Sequence, residues 1–312
     1  MHHHYFSLAW LMLALHSATA QFPPQQVVSR QSTLSRARRI QYHPIKECIT
    51  VASEEGVYFH EAVDNEGTVC GVYLLTDPER SIQVRFDWLD VPCEDGGLVS
   101  FVDGWELNQQ FFPSAEDHSK PLNMRYREFC GPQKQKEIFQ SSQNAALVQY
   151  RIPTAGRGFS FRVRFPLNST PCNILLEGKS DVYTLRNYGK AVNCTLLALY
   201  PAHIRVLSLS VGLVDPHRHL DVETGTIRKC QDRGLADYAE LGGAEGLDTT
   251  HLNVDDSICG TDSRPGSTME TILCGVSAVR LVSSGEFENA VTVAVRQAHE
   301  GDLDTASVIC DM

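Results

Sequence analysis

Ala146-Leu147-Val148-Gln149-Tyr150-Arg151-Ile152, then Gly156-Arg157-Gly158, then Phe159-Ser160-Phe161-Arg162-Val163-Arg164-Phe165 is the stretch that decides the fold. Apolar residues occupy every second position on either side of a glycine-bearing turn. That is the period of a half-buried strand, whose successive side chains point to opposite faces. Working outward, Ile82, Val84, Phe86 and Trp88 alternate with polar or charged residues in the same way. Residues 203–214, 278–282 and 290–295 are rich in β-branched side chains, and helical periodicity is weak throughout. The predicted fold class is all-β, with antiparallel sandwiches.

The ten cysteines organise these strands. Cys48 and Cys70 enclose 21 residues, and so do Cys172 and Cys194. The next pair encloses 36 residues in the first half (Cys93, Cys130) and 28 in the second (Cys230, Cys259). About ten residues after each third cysteine comes a strand running into a turn, Phe101-Val102-Asp103-Gly104 and Glu240-Leu241-Gly242-Gly243. Two copies of one module account for this pattern, with Cys274 and Cys310 as an extra bridge in the second. Sequence leaves the connectivity of ten cysteines open, but the repeat favours neighbour pairing: Cys48–Cys70, Cys93–Cys130, Cys172–Cys194, Cys230–Cys259 and Cys274–Cys310. An even cysteine count without a Cys-x-x-Cys reads as a structural framework rather than a zinc or redox site.

The amino terminus carries export features. Residues 5–15 form an apolar run too short to span a bilayer, and Ala18-Thr19-Ala20 is a small-x-small cleavage pattern. Residues 1–20 are therefore expected to be a signal peptide and the mature protein to be secreted, with no later segment inserted in a membrane. Residues 21–46 hold Arg30, Arg36, Arg38, Arg39 and Lys46 and no acid. They read as a basic flexible arm or propeptide, with Arg36-Ala37-Arg38-Arg39 as a possible convertase site. With a total charge of −11, the remainder of the chain carries −16. An acidic body argues against nucleic acid as a partner and would steer a cationic one toward itself.

Catalytic and metal chemistry find little support. His60-Glu61-Ala62-Val63-Asp64 falls one residue short of His-Glu-x-x-His and sits in a strand pattern, where the two ligands do not share a face. His217-Arg218-His219, flanked by Asp215 and Asp221, reads as a polar turn. No nucleophile elbow and no phosphate loop occurs. The chain is expected to be no enzyme and to use no cofactor. Trp88 and Trp105 are the candidate partner anchors. Trp88 is expected in the core because it continues the Ile82-Val84-Phe86 face; for Trp105, just past a turn, core and anchor readings stand level. Asn193-Cys194-Thr195 and Asn168-Ser169-Thr170 are glycosylation sequons, the second disfavoured by Pro171.

Phe129-Cys130-Gly131, Ser141-Ser142-Gln143-Asn144 and Gly156-Arg157-Gly158-Phe159 resemble the closing half of a CUB module, an extracellular jelly-roll-like β-sandwich. The resemblance implies one CUB-like module over residues 47–167 and a second, divergent one over 168–312, stapled by five disulfides. Val102-Asp103-Gly104-Trp105, Phe112-Pro113-Ser114-Ala115-Glu116-Asp117-His118, Pro171-Cys172-Asn173 and Asn193-Cys194 resemble the corticotropin-releasing factor-binding protein family. So do Asp237-Tyr238-Ala239-Glu240-Leu241-Gly242-Gly243, Gly246-Leu247-Asp248 and Val282-Ser283-Ser284-Gly285. This resemblance implies a secreted protein that sequesters corticotropin-releasing-factor-like peptide hormones, diuretic-hormone-like in an invertebrate, and limits receptor activation. The other class kept in view is a CUB-type adhesion or co-receptor module recognising a protein or glycan. The family's ligand-binding Arg and Asp fall here on Pro44 and Thr50, so no ligand-contact residue is carried over. Of the calcium-binding positions of many CUB modules, the first copy has Gly96-Gly97 and Ile152-Pro153 instead, and Asp237 keeps part of the set in the second.

Overall fold

A computed structural model describes residues 40–132, 137–178, 180–212, 223–266 and 268–310. The signal segment, the basic tetrad and the His217 cluster lie outside the described residues. With strands labelled in chain order, the first domain has one five-stranded sheet ordered β1 (Tyr42–Pro44), β3 (Gly56–Glu61), β12 (Gly158–Arg164), β5 (Gln83–Asp90), β10 (Phe139–Gln140). A second is ordered β2 (Ile49–Ala52), β4 (Val69–Leu75), β11 (Ala145–Arg151), β6 (Leu98–Asp103), β9 (Tyr126–Phe129). Both sheets feed one apolar cluster. Val84, Phe86, Phe159, Phe161 and Val163 enter it from the first, and Val72, Leu74, Phe101, Ala146, Val148 and Tyr150 from the second. Fully burying each such side chain is worth about 1.5–3 kcal/mol, and this alternation fixes which face of each strand turns inward.

The second domain repeats the plan. β13 (Ile174–Leu176), β15 (Cys194–Ala198), β21 (Val276–Val282), β18 (Tyr238–Ala244) and β19 (Asn253–Asp262) follow the order of β2-β4-β11-β6-β9. In each copy the first pair is parallel and the remaining pairs are antiparallel. Likewise β14 (Asp181–Arg186), β22 (Ala290–Gln297), β16 (Ala202–Val211) and β20 (Glu270–Leu273) follow β3-β12-β5-β10, but β16 also pairs with β19, which joins these strands into one eleven-stranded sheet. Its own core draws on Ile174, Leu196, Leu241, Val279, Val291 and Val293 among others. β17 (Ile227–Arg228) adds to β19, and β23 (Val308–Ile309) runs parallel to β20.

The bridges are Cys48–Cys70, Cys93–Cys130, Cys172–Cys194, Cys230–Cys259 and Cys274–Cys310, with Cα separations of 4.6–6.1 Å. The first of each domain ties the entering segment to the strand that its parallel partner follows. The fifth closes the carboxyl-terminal segment onto the end of β20.

One part of the basic arm is structured. Tyr42–Pro44 pairs in parallel with β3, His43 stacks on Tyr58 at 4.6 Å, and Ile45 is buried. A strand of three residues on a sheet edge needs no apolar period of its own, which is why composition alone assigns these residues to the arm.

The two domains share a third apolar cluster. Leu75, Trp105, Phe112 and Ala145 of the first meet Leu175, Leu197, Ala244, Leu247, Val276 and Ala278 of the second. A hairpin of β7 (Trp105–Leu107) and β8 (Gln110–Phe112) delivers the first domain's share. Gly104 permits that hairpin, since its φ of +114° and the Phe112 carbonyl beside it leave no room for a Cβ. The loop that follows is pinned by Arg125, which donates to the carbonyls of Asp103 at 3.0 Å and Pro113 at 2.8 Å.

That loop carries Asp117 into the second domain. Arg280 on β21 donates to the Asp117 carboxylate through Nε at 3.0 Å and Nη2 at 2.8 Å. The hydroxyls of Thr195 and Thr249 donate to its other oxygen at 2.7 and 3.1 Å. Asn173 donates to the Asp117 carbonyl at 3.0 Å. Glu116 and Glu240 complete the surround of Arg280 at 2.9 and 3.5 Å. Asn144 adds a second link, donating to the Leu175 carbonyl and accepting from the Leu175 N–H. Burial pushes the Asp117 carboxyl up, but the hydrogen bonds and charge of Arg280, with the two threonines, outweigh it and hold the group below the usual carboxylate range.

Removing Asp117 strips the buried Arg280 of its two-nitrogen partner and leaves it the exposed Glu116 and the more distant Glu240. Asp117→Ala is therefore expected to destabilise the protein by about 3–5 kcal/mol, read as a lower denaturant midpoint. Because folded Asp117 titrates below its unfolded value of about 3.9, its contribution is present above that pH and lost as pH falls from there through the folded value. The acid-side loss of stability over that window is expected to shrink in Asp117→Ala, measured by denaturant titration at pH 2 to 5.

Candidate binding face

The outward side of β1, β3, β12 and β5 is unlike the rest of this acidic chain. Strand register sets its side chains in rows that cross the strands. Pro44, Phe59, Ser160 and Trp88 are direct neighbours in one row, and Tyr42, Val57, Arg162 and Arg85 in the next. Phe59, Trp88 and Tyr42 are 40%, 44% and 67% exposed, so their apolar surface faces water rather than a core.

A bulge puts Trp88 there. Phe86 pairs with Phe161 and Trp88 with Ser160, so Asp87 is an extra residue that opposes nothing. The insertion reverses the in–out parity of β5: Phe86 is buried, Trp88 is outside, and Leu89 and Val91 are buried again. This overturns the expectation that Trp88 continues the core face. Trp105 is the core tryptophan, 6% exposed, with its indole N–H donating to the Leu74 carbonyl at 2.8 Å.

Asp87 itself lies between two arginines. Arg85 donates to its Oδ1 at 2.8 and 3.0 Å, and Arg162 to its Oδ2 at 3.1 and 3.3 Å. Both guanidinium planes are thereby held at the edge of the aromatic row. A shallow hollow lined by Gln83, Arg85, Ile138, Arg162 and Arg164 opens on this side. Arg164 is exposed and makes no hydrogen bond or ion pair among the described residues. At the opposite end of the face Asp90 pairs with Arg157 at 2.7 Å, beside the exposed Glu61.

The second domain supplies an internal control. β16 and β22 carry a bulge at the same place, with Val206 opposite Val293 and Ser208 opposite Thr292. Ser208 thus stands where β5 has Trp88. Thr184 stands for Phe59 and bonds Thr292, and Ala294 stands for Arg162. The fold needs the bulge. It does not need aromatic side chains on it, whereas Arg205 and Arg296 stand where the first domain has Arg85 and Arg164.

The residues singled out in the sequence distribute elsewhere. His60 is on β3, turned toward Tyr150 and Phe159, with Nδ1 3.3 Å from the Ile45 carbonyl; burial pushes its imidazole down. Glu61, its neighbour, faces the other way. Asp237 receives the Ser284 N–H and O–H and the Asn289 amide, so its carboxylate is surrounded by hydrogen-bond donors. Thr50 caps the Glu47 carbonyl at 3.1 Å. Asn193 and Asn168 are half-buried. The Phe112–His118 and Ser141–Asn144 motifs line the domain junction. Phe59, Arg85, Arg162 and Arg164 had no motif to mark them.

The fold is that of a two-domain, disulfide-bridged, mostly β protein; among the described residues no cluster of His, Cys, Asp and Glu suits a metal ion. Residues 40–166 match the corticotropin-releasing factor binding protein N-terminal domain and residues 174–304 the corresponding C-terminal domain. The chain belongs to the corticotropin-releasing factor-binding protein family. It is 30% identical to the protein of that name from Rattus norvegicus over 92% of this chain and 87% of the relative. It is 28% identical to that from Homo sapiens (91% and 86%) and 30% to that from Xenopus laevis (82% and 77%). Among solved structures, the CUB1-EGF-CUB2 domains of rat MASP-1 cover 80% of this chain and 99% of their own length, with 13% identity and a TM-score of 0.25, too low to carry a fold assignment.

The two tryptophans are expected to respond oppositely. Trp105→Ala should cost about 3–5 kcal/mol of stability, whereas Trp88→Ala should stay within about 0.5 kcal/mol. Urea unfolding of the two variants checks this.

Proposed function

We propose that this protein is exported, binds corticotropin-releasing-factor-like peptide hormones outside the cell and lowers the free concentration available to receptors. In an invertebrate source the ligand is a diuretic-hormone-like member of that class. The observation that carries this reading is the match of both domains, in order and over nearly the whole chain, to proteins named for binding that factor. Five disulfides suit an oxidising compartment. Among the described residues no helix is long and apolar enough to cross a membrane. The repeated strand order and the neighbour-paired bridges support a CUB-type sandwich in each domain, the second divergent. Titration calorimetry of the purified protein with synthetic corticotropin-releasing factor tests the reading. Saturable binding supports it, and no binding at micromolar peptide, or binding that requires calcium and ignores helical peptides, overturns it.

Asn193 is the glycosylation site in this reading. Its Oδ1 accepts from the Ser283 N–H at 3.3 Å, and its amide nitrogen makes no hydrogen bond among the described residues. Asn168 by contrast donates to the Ser142 carbonyl and to Gln143, and Pro171 follows its sequon. The secreted protein is expected to lose mass on glycosidase treatment, and Asn193→Gln to abolish that loss.

A further inference from the structure

We propose that the outer face of β1, β3, β12 and β5 is where the peptide docks, as an amphipathic helix lying across the strands. Its apolar stripe covers the Phe59–Trp88 row, and carboxylates flanking that stripe meet Arg162, Arg85 and Arg164. The inference rests on the hormone-binding reading above and adds to it a surface, an orientation and a ligand chemistry.

Spacing sets the occupant. Phe59 and Trp88 are separated by one strand, β12, which places them roughly 9–10 Å apart. Two turns of α-helix rise about 10.8 Å, so residues i and i+7 of a helix laid along the row meet both rings. The arginine row is displaced by two residues along β12, roughly 6.5–7 Å, and by three along β5, where the bulge takes up the extra one. That offset brings a carboxylate at the border of the apolar stripe to the guanidinium groups.

Charge sets its polarity. Outside the amino-terminal arm the chain carries −16, yet this edge of the row holds three arginines against two carboxylates, Asp87 between Arg85 and Arg162, and Glu55, which accepts the Phe165 N–H beside Arg164. Asp87 fixes the forks of Arg85 and Arg162 without cancelling the excess, and Arg164 is left unpaired among the described residues. The far edge, with Glu61 and the Asp90–Arg157 pair, has no such excess. A helix with acids on one border of its apolar stripe therefore fits in one sense and is opposed in the other. At the matched positions of the second domain Thr184 and Ser208 replace the two rings and Ala294 replaces Arg162, while Arg205 and Arg296 match Arg85 and Arg164, so the aromatic row is what sets the first domain's face apart.

The test measures the affinity of Trp88→Ala, Phe59→Ala and Arg164→Glu for synthetic corticotropin-releasing factor, and for the same peptide with its Asp and Glu side chains changed to Asn and Gln. Ser208→Ala serves as the second-domain control, and circular dichroism checks folding. Trp88→Ala is expected to weaken binding by tenfold or more, as for an exposed aromatic anchor. Arg164→Glu is expected to weaken the acidic peptide several-fold and the neutralised peptide much less, with Ser208→Ala unchanged. Binding within twofold of the unaltered protein for all three face variants overturns the face and leaves the hormone-binding reading standing. Equal loss for both peptides in Arg164→Glu overturns the charge pairing. No binding of either peptide to the unaltered protein overturns both readings together.

Discussion

A buried carboxylate facing a buried guanidinium holds the two halves of this molecule together. Asp117 and Arg280 are each deeply enclosed, and taking either charge out of water costs several kcal/mol that their pairing offsets. Much of the junction serves that pair. Arg125 fixes the loop, threonine hydroxyls saturate the carboxylate, and the Trp105–Phe112 cluster keeps water out. The low local dielectric strengthens the pair, and the pair in turn forces the apolar surfaces into register. The domains are consequently one packed body rather than beads on a linker.

Against that frame the two copies of the module have diverged in use. Their strand orders, parallel first pairs and bulges coincide, although the pairing of β16 with β19 joins the second copy's strands into one sheet. The side chains on the bulged face have not. One copy shows threonine, serine and alanine beside Arg205 and Arg296. The other adds an indole, a benzyl ring and a third guanidinium group. Rings exposed where the matched sheet carries threonine and serine leave apolar surface in water.

Much of the architecture was legible in the cysteine spacing and the period-two runs, because disulfide neighbours and strand faces are written locally. The motifs that identified the family sit at the domain junction, where steric and electrostatic demands are specific enough to leave a signature. Trp88 was misplaced because alternation was extended through a bulge. The sign was present in Phe86-Asp87-Trp88-Leu89-Asp90-Val91, where the apolar positions change parity between Phe86 and Leu89. β1 was missed because an edge strand of three residues borrows its stability from its neighbour. The arginine rows were illegible for a different reason: cross-strand adjacency is a property of register, which no single strand records.

The junction also sets an order in time. Arg280 lies 163 residues beyond Asp117, so at about 5–20 residues per second the first domain waits roughly ten to thirty seconds for the residue that neutralises its projecting loop. Until then Trp105 and Phe112 lack their cover as well. A chain cut short anywhere before β21 leaves the ribosome with that loop unsealed, a charged and aromatic mark that distinguishes an unfinished molecule from a finished one.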